Sequence, residues 1–467
     1  MSLRLAVAEI IRTTGARAVV PVGAVAPEVI TGVTTDSRVA ASGDLFVALR
    51  GPHADGHAYV ANAFARGAAL ALVAESAATA VGGPALVVGD PLRALGVIAA
   101  LHRATLPTTV VGVTGSVGKT TTVGLCARVL ETRYQLARSA ESWNAELGVA
   151  LTLLGLKAHH QVAVVEMAMR GLGQIRELVE MARPRVGAVT TIADTHLETL
   201  GSREHIAAAK AELLETLPAD GVAIVNADEA LTVRLVRDVR CTIVRVGLSP
   251  EADVRAAQIT RANGGYTFRL SLRGDQADVY LPLPGVHQVR NALVAAAVGD
   301  ALGIGAREIV AGLGRARPAK GRQEISMAGD VMIVDDSYNA NPQSMQAAFE
   351  VVAQVGGRRR RVLALGEMRE LGPKAAEFHR QVGHEAAALE PAHLLVVGPN
   401  ARWYVDGALA AGLPASAIVL AETVEEAIPL LQQVLRPGDV VLIKGSRTIE
   451  MEHLVASLTH VAPVTHS

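Results

Sequence analysis

The sequence predicts an α/β protein of three domains: a central P-loop domain whose mostly parallel sheet carries helices on both faces, flanked by two smaller α/β units, the last one Rossmann-like. The chain has 467 residues, which is enough for about three domains of ordinary size. Short runs rich in valine, leucine and isoleucine alternate with alanine-rich stretches of helical length. Several of these runs end in glycine or aspartate, and open α/β sheets bind ligands at the carboxyl ends of their strands.

Breaks in this alternation give the domain boundaries. We expect a first domain over 1–107, a second over 108–316 and a third over 317–467. The candidate strands lie at 45–49, 85–89, 110–113, 161–167, 187–193, 222–226, 331–336, 361–366, 393–398 and 439–445. A change to residue-by-residue alternation over 254–281 predicts an antiparallel patch. The basic segment 314–322 contains proline and glycine and is predicted to be a linker and hinge.

Composition excludes several classes of protein. Apolar residues make up 50% of the chain and charged residues 19%, as in ordinary globular proteins. The formal net charge of −1 argues against a nucleic-acid partner. The start of the chain does not resemble a signal peptide, and no stretch of about 18 residues is apolar and free of charge. We therefore expect no membrane partner. With only Cys126 and Cys241 as thiols, we expect a reducing compartment, the cytoplasm. A monomer is the default expectation.

A phosphate-binding loop is predicted at 110–122, which reads VVGVTGSVGKTTT. An apolar strand, a glycine-rich turn and a helix start follow one another, so backbone N–H groups and the helix dipole can meet a phosphate. Lys119 would reach the β- and γ-phosphates, and Thr120 would place its hydroxyl on Mg²⁺. The strict P-loop spacing requires a glycine at position 113, where this chain has valine. Only the shorter pattern TGSVGKTT is therefore present.

A second ligand for a nucleotide-bound metal is predicted at the end of the run 161–167. Glu166 closes this apolar run, and a parallel strand would deliver its carboxylate beside the loop. Carboxylate and hydroxyl oxygens are the ligands that Mg²⁺ prefers.

Segments from one end of the chain to the other resemble the Mur ligase family, the ATP-dependent enzymes that build the peptidoglycan stem peptide. Besides the loop, the similar segments are TTDSRVAASGDLFVALRGPHADGH (34–57), NAELG (144–148), EMAMRGLGQI (166–175), HLETLGS (196–202), AKAELL (209–214), GVHQVRNALVAA (285–296), KGR (320–322), DDSYNANPQSM (335–345), GEMRELG (366–372) and KGSR (444–447). The segment 335–345 discriminates best. It is similar to the branch that adds D-alanyl-D-alanine, and the DNPR motif of the diaminopimelate-adding branch is absent.

The resemblance implies a reaction and its cofactors. It implies ATP, Mg²⁺, UDP-MurNAc-tripeptide and D-Ala-D-Ala, joined through an acyl phosphate. The residues implied in ATP binding are Thr114, Gly115, Ser116, Val117, Gly118, Lys119, Thr120, Thr121, Asn291, Arg322 and Asp336. The implied catalytic residues are Lys119, His196, Lys210 and Arg322, and the implied metal ligands are Thr120, Glu166, His196 and Lys210, the last as a CO₂-derived carbamate.

The resemblance also implies substrate contacts. These are Ser37 for the uridine diphosphate, Asn144 near the muramoyl-peptide, and Asn339, Asn341, Lys444, Ser446 and Arg447 for the dipeptide. Taken singly, several of these residue types have ordinary structural roles: a lone helix lysine is typically solvated, and Lys-Gly-Ser is typical of a turn.

Two other classes of function stay open. One is a ligase with another substrate, such as a different Mur ligase or an enzyme similar to folylpolyglutamate synthase. The other is a P-loop nucleotide switch, or a partner-binding relative without catalysis. The sequence leaves open whether the third stem-peptide residue is diaminopimelate or lysine.

Overall fold

A computed structural model of the chain describes residues 3–52, 54–79, 81–140, 142–195, 197–231 and 235–459. The strands are β1 (Leu5–Ala6), β2 (Arg17–Val19), β3 (Val29–Ile30), β4 (Gly32–Thr34), β5 (Asp44–Val47), β6 (Leu70–Ala74), β7 (Ala85–Val88), β8 (Thr109–Thr114), β9 (Leu136–Arg138), β10 (Val162–Glu166), β11 (Val186–Val189), β12 (Val222–Asn226), β13 (Thr242–Gly247), β14 (Val254–Ala262), β15 (Gly265–Leu272), β16 (Asp275–Leu281), β17 (Glu324–Ala328), β18 (Val331–Asp336), β19 (Arg361–Gly366), β20 (His393–Val397), β21 (Ile418–Ala421) and β22 (Val440–Lys444).

The α-helices connect these strands on both sides of the sheets. They are α1 (Val7–Thr14), α2 (Val60–Ala65), α3 (Pro91–Ala104), α4 (Lys119–Leu130), α5 (Glu146–Leu154), α6 (Gln174–Ala182), α7 (Leu197–Leu200), α8 (Arg203–Glu215), α9 (His287–Ala301), α10 (Ala306–Leu313), α11 (Pro342–Gly356), α12 (Ala375–Ala387), α13 (Arg402–Ala410), α14 (Val424–Val434) and α15 (Glu452–Thr459). No helix in the described part of the chain combines the length and the apolar character that crossing a membrane requires.

Three larger sheets follow one another along the chain, and they match the predicted three-part α/β architecture. The first has the order β2-β7-β6-β5-β4, the second β16-β15-β14-β13-β12-β11-β8-β10-β9 and the third β17-β18-β22-β19-β20-β21. β1 and β3 form a separate antiparallel pair. The exact domain boundaries stay a prediction.

The central sheet is parallel from β9 to β14 and antiparallel from β14 to β16. The antiparallel patch predicted over 254–281 is therefore confirmed, and it extends the central sheet. The strand predicted over 187–193 is shorter than expected, because β11 ends at Val189. The residues after Val189 turn toward the glycine-rich loop and bond to it.

Alternate residues of the central strands serve two different cores, as the period of a buried strand requires. Val111 and Val113 of β8 face a core formed with α4, α9 and α10. Val110 of the same strand faces a second core formed with α3, α5, α6 and α8. This second core continues into the first sheet through residues such as Leu45 and Leu72. The first and second units are thus joined by a continuous apolar interior.

The third sheet has two cores of its own, one on each face. Val334, Leu363 and Leu442 face α11, α12 and α13, whereas Ile333 and Ile443 face α14 and α15. Among the described residues, these cores are separate from those of the central unit, and hydrogen bonds such as Ser142–Tyr338 and Gln288–Gln323 join the two units. The carboxyl ends of β18, β19 and β22, which are neighbours in this sheet, point toward the central unit across a cavity.

Candidate active site

A cavity of about 870 Å³ lies between the central and third units. Most of the residues implied by the sequence converge on it: Ser116, Val117, Gly118, Lys119, Thr120, Thr121, Asn144, Glu166, Asn291, Arg322, Asp336, Asn339, Asn341, Lys444, Ser446 and Arg447. This volume is in the range of ligand pockets in enzymes. Because both units supply lining residues, neither unit alone forms the site.

Two glycines give the phosphate-binding loop its shape. Gly115 has φ of +148° and a Cβ there would collide with the Thr190 hydroxyl. Gly118 has φ of +86°, and a Cβ there would lie 2.5 Å from Asn291 Oδ1. Both backbone conformations favour glycine. Asn291, which was expected on the adenine side, is thus packed against the loop, and its Nδ2 donates to Gln288 Oε1 at 2.8 Å.

The segment after β11 braces this loop. Thr190 Oγ1 donates to Val117 O at 2.6 Å, and Ser116 N donates to Thr191 O at 2.8 Å. The first N–H groups of α4 have no carbonyl partner within the helix, and they face the cavity at Lys119 and Thr120. The helix N-terminus is therefore the part of the loop that is best arranged to receive a phosphate.

Lys119 is held inside the loop. Its Nζ donates to Gly115 O at 2.9 Å. Burial lowers the pKa of the Lys119 ammonium, the nearby Glu166 carboxylate opposes this effect and Arg322 adds to it. An anion entering the cavity would favour the charged form, because an opposite charge raises the pKa of an ammonium.

Glu166 closes β10 and is almost fully buried. Thr120 Oγ1 donates to its Oε2 at 2.7 Å, and Asn144 Nδ2 donates to its Oε1 at 2.8 Å. A hydroxyl and a carboxylate oxygen therefore stand side by side at the start of α4, and this donor set fits Mg²⁺. The predicted pairing of Thr120 with Glu166 agrees with this geometry.

Lys210 is not a solvated helix lysine. It lies in α8, and it is only 2% exposed. Its Nζ has no hydrogen-bond or ion-pair partner among the residues that the structure describes. Burial lowers the pKa of this amine well below its ordinary value, and Lys119 lowers it further. His196, the other expected ligand of a second metal, lies outside the described residues.

The wall of the third unit contains a buried ion pair. Lys444 Nζ lies 2.7 Å from Asp336 Oδ2 and donates to Asn339 O at 2.8 Å. Burial raises the pKa of the Asp336 carboxyl, and Lys444 and Arg322 oppose the rise. The sequence assigned Asp336 to the ribose and Lys444 to the dipeptide, whereas the structure joins the two side chains to each other.

Breaking this pair is expected to destabilise the third unit. Lys444→Met leaves the Asp336 carboxylate buried without its partner, which costs about 3–5 kcal/mol of the free energy of unfolding. Urea unfolding followed by circular dichroism measures the change. Arg269→Met is the matched control, because the Arg269–Asp278 pair on the surface of β15 and β16 is exposed and contributes less than about 1 kcal/mol. Equal losses in the two variants would contradict the expectation.

The remaining substrate residues have structural partners as well. Asn341 caps α11 by accepting from Ser344 N at 2.9 Å. Ser446 Oγ accepts from Arg369 N at 2.8 Å, and Arg447 pairs with Glu452. Ser37 is buried in the first unit and does not line the cavity. Thr114 and Gly115 precede the lining residues of the loop and do not line the cavity themselves.

Several residues that line the cavity had no role in the sequence-based prediction. Asp228 follows β12, accepts from Leu248 N at 3.0 Å and pairs with Arg290 at 3.2 Å. Its position after a strand could have indicated a site residue from the sequence alone, because open α/β sheets bind ligands at the carboxyl ends of their strands. Tyr338 and Arg369 lie inside segments that carried the family resemblance, but no local pattern indicated what they contact.

Comparison with known proteins gives the chain a family. Three family models match it: the Mur ligase family catalytic domain over 29–103, the Mur ligase middle domain over 113–299 and the Mur ligase glutamate ligase domain over 321–447. The chain is 36% identical over 463 residues to the UDP-N-acetylmuramoyl-tripeptide--D-alanyl-D-alanine ligase of Mycobacterium tuberculosis, covering 89% of this chain and 90% of that protein.

Solved structures agree with the sequence relatives. The crystal structure of MurF from Acinetobacter baumannii superposes with a TM-score of 0.87 at 31% identity, covering 98% of this chain and 100% of that chain. MurF ligase from Thermotoga maritima, solved in complex with ADP, superposes with a TM-score of 0.78 at 25% identity, covering 92% and 97%. The chain therefore belongs to the Mur ligase family, and among its members it is most similar to those named MurF.

Proposed function

We propose that this chain is an ATP-dependent ligase that joins D-alanyl-D-alanine to UDP-N-acetylmuramoyl-tripeptide during peptidoglycan precursor synthesis, with ADP and phosphate as products. The observation that carries the proposal is the shared cavity: the phosphate-binding loop forms one wall, and Arg322 and Asp336 form the other. The relatives named for this activity align with the chain over about nine-tenths of its length.

The reaction needs two steps because a carboxylate is a poor electrophile. In the first, a carboxylate oxygen of the tripeptide attacks the γ-phosphorus of ATP, the bond to the β–γ bridging oxygen breaks, and ADP leaves. In the second, the amine of D-Ala-D-Ala attacks the acyl carbon, loses a proton, and phosphate leaves from the tetrahedral intermediate. Lys119 and Arg322, which line the cavity from opposite units, are assigned to the phosphoryl oxygens, where charge must be neutralised as two anions meet.

Thr120 and Glu166 are proposed to hold Mg²⁺. Their oxygen atoms lie 2.7 Å apart at the N-terminus of α4, and Asn144 fixes the other carboxylate oxygen. When bound, the metal ion supplies positive charge to the phosphate oxygens. Asn144 then acts as an orienting group for the Glu166 carboxylate, in addition to any contact with the muramoyl-peptide.

Lys210 is proposed to react with CO₂ to form a carbamate, with release of one proton. The support is chemical: only a neutral amine attacks CO₂, and burial favours the neutral form of Lys210. A carbamate carries one negative charge shared by two oxygens. It can bind a metal ion and pair with the nearby Lys119 ammonium, which a Lys210 ammonium cannot do. His196 stays a predicted partner of this site.

The other assignments are proposals of the same kind. Asn291 and Asp336 are assigned to the adenosine, Ser37 to the uridine diphosphate, and Asn339, Asn341, Lys444, Ser446 and Arg447 to the dipeptide. We propose a monomer. We place the reaction in the cytoplasm, where ATP is available and where Cys126 and Cys241 stay free thiols.

The direct test is ADP and phosphate release by the purified protein with Mg-ATP. UDP-MurNAc-tripeptide and D-Ala-D-Ala are supplied separately and together, with diaminopimelate or lysine as the third stem residue. We expect release only when both acceptors are present, with a pentapeptide product by mass. Release with a different amino acid or a folate would retain the ligase chemistry and overturn the substrates. Release without any acceptor would favour a nucleotide switch.

A further inference from the structure

Tyr338 stands between Arg322 and the central unit. The guanidinium carbon of Arg322 lies 4.0 Å from the centre of the Tyr338 ring. The Tyr338 hydroxyl lies 2.9 Å from Ser142 Oγ. Tyr338 belongs to the third unit and Ser142 to the central one, so a single side chain contacts both the cationic group of the hinge segment and the opposite wall.

The backbone on either side of Arg322 also contacts both units. Tyr338 N donates to Gly321 O at 3.1 Å, and Gly321 has φ of +64°, a conformation that favours glycine. On the other side of Arg322, Gln323 has φ of +57°, and its Oε1 accepts from Gln288 Nε2 of α9 at 3.3 Å. Arg322 therefore sits at the point where the two units meet.

The ring holds Arg322 without neutralising it. Arg322 forms no ion pair with any carboxylate among the described residues. A carboxylate partner would compete with phosphoryl oxygens for the guanidinium, whereas an aromatic face attracts the cation and leaves its N–H donors unused.

The hydroxyl of Tyr338 reaches a segment that matters for the metal site. Ser142 lies two residues before Asn144, which donates to Glu166. Ser142 has φ of +67°, a conformation that few residues other than glycine adopt. The Ser142–Tyr338 hydrogen bond thus ties the segment that orients Glu166 to the side chain that orients Arg322.

We infer that Tyr338 is a positioning residue that couples contact between the central and third units to the placement of Arg322 for phosphoryl transfer. The inference rests on the proposed function only in assigning Arg322 to the transferred phosphoryl group. The ring sets the direction of the guanidinium, and the hydroxyl forms its bond with Ser142 only when the two units are in contact. Arg322 is thereby oriented in the closed arrangement of the enzyme.

A mutant cycle in the full-length protein tests the coupling. Tyr338→Leu removes ring and hydroxyl and is expected to lower kcat about tenfold with little change in the KM for ATP. Tyr338→Phe keeps the ring and should lower kcat by only about threefold. In an Arg322→Ala background, Tyr338→Leu should cause no further loss. An equal loss in both backgrounds, or a raised KM with unchanged kcat, would overturn the inference.

Tyr266→Phe is the matched control. Tyr266 OH donates to Gln354 Oε1 of the third unit at 2.8 Å, so this change also removes one tyrosine hydrogen bond between the units. It lies outside the cavity lining, and we expect full kcat. A loss of kcat in Tyr266→Phe equal to that in Tyr338→Phe would show that any lost hydrogen bond between the units lowers kcat, and would overturn the specific role of Tyr338.

A second readout does not depend on the reaction. Phenylglyoxal modifies exposed guanidinium groups, and peptide mapping by mass spectrometry measures its rate at Arg322. We expect the modification of Arg322 to be several-fold faster in Tyr338→Leu than in the wild type, and unchanged in Tyr266→Phe. Equal rates in Tyr338→Leu and the wild type would overturn the inference. If the wild type forms no ADP with the named substrates, the proposed function fails while this measurement still decides the role of Tyr338.

Discussion

Lys119→Met is expected to lower the rate of ADP formation by about a thousandfold, because the change removes a preorganised charge from a site where two anions must meet. Lys119 Nζ is fixed on Gly115 O at 2.9 Å inside the loop, so its position is set before the nucleotide arrives. Methionine keeps most of the side-chain volume and removes the ammonium group, with its charge and its hydrogen bond to Gly115 O. Steady-state ADP release with both acceptors present measures the effect.

The control for this prediction is Lys157→Met. Lys157 is exposed in a loop that does not line the cavity, and we expect its replacement to leave kcat unchanged. Circular dichroism should give the same spectrum for both variants and the wild type. A Lys119→Met enzyme with more than a tenth of the wild-type rate would be incompatible with a phosphate-binding role for this lysine.

Lys210→Met is expected to lower kcat by about a hundredfold, and depletion of CO₂ should reduce the wild-type rate reversibly. The physical reason is that burial lowers the pKa of the Lys210 amine and so favours the neutral form, which is the form that reacts with CO₂. With ¹³C-labelled bicarbonate, the wild type should show a carbamate resonance by NMR that Lys210→Met lacks. Full activity in CO₂-free buffer without this resonance would exclude the carbamate.

The same variant has an expected effect on stability in CO₂-free buffer. The folded protein binds a proton at Lys210 less readily than the unfolded chain does, because its pKa is lowered from 10.5. The free energy of unfolding should therefore rise with pH up to the unfolded pKa. Lys210→Met should be more stable than the wild type at neutral pH and should lack this part of the pH dependence. Urea unfolding at several pH values measures both, and a less stable variant would point to a structural role for the lysine.

Sequence patterns were sufficient where the chain determines its own structure locally. The glycine-rich loop between β8 and α4 combines a buried strand, two positive-φ glycines and a helix start within a few residues, so a contiguous pattern was enough to predict it. The buried strands of the third sheet were found for a similar reason, since both of their faces are apolar. Glu166 was placed correctly because the end of a parallel strand predicts where its last side chain points.

Partners that are far apart in the chain could not be predicted in this way. The Asp336–Lys444 pair joins residues 108 positions apart, and the Ser142–Tyr338 bond joins residues 196 positions apart. The residues that surround one partner in the sequence do not indicate which distant residue it will contact. Lys210 was assigned a metal role from its resemblance to the family, but its burial became visible only in the packing of α8.

The sequence by itself determined the alternation of strands and helices, the phosphate-binding loop and the family, because periodicity, turn chemistry and contiguous motifs depend on neighbouring residues. The tertiary structure decided which of these parts meet. The first two units share one apolar core, whereas the third has separate cores and meets the central unit through polar contacts around the cavity. Hydrophobic burial stabilises the interface between the first and central units, whereas directional hydrogen bonds orient the third unit on the central one. The placement of Arg322 and Tyr338 is therefore a property of the assembled fold.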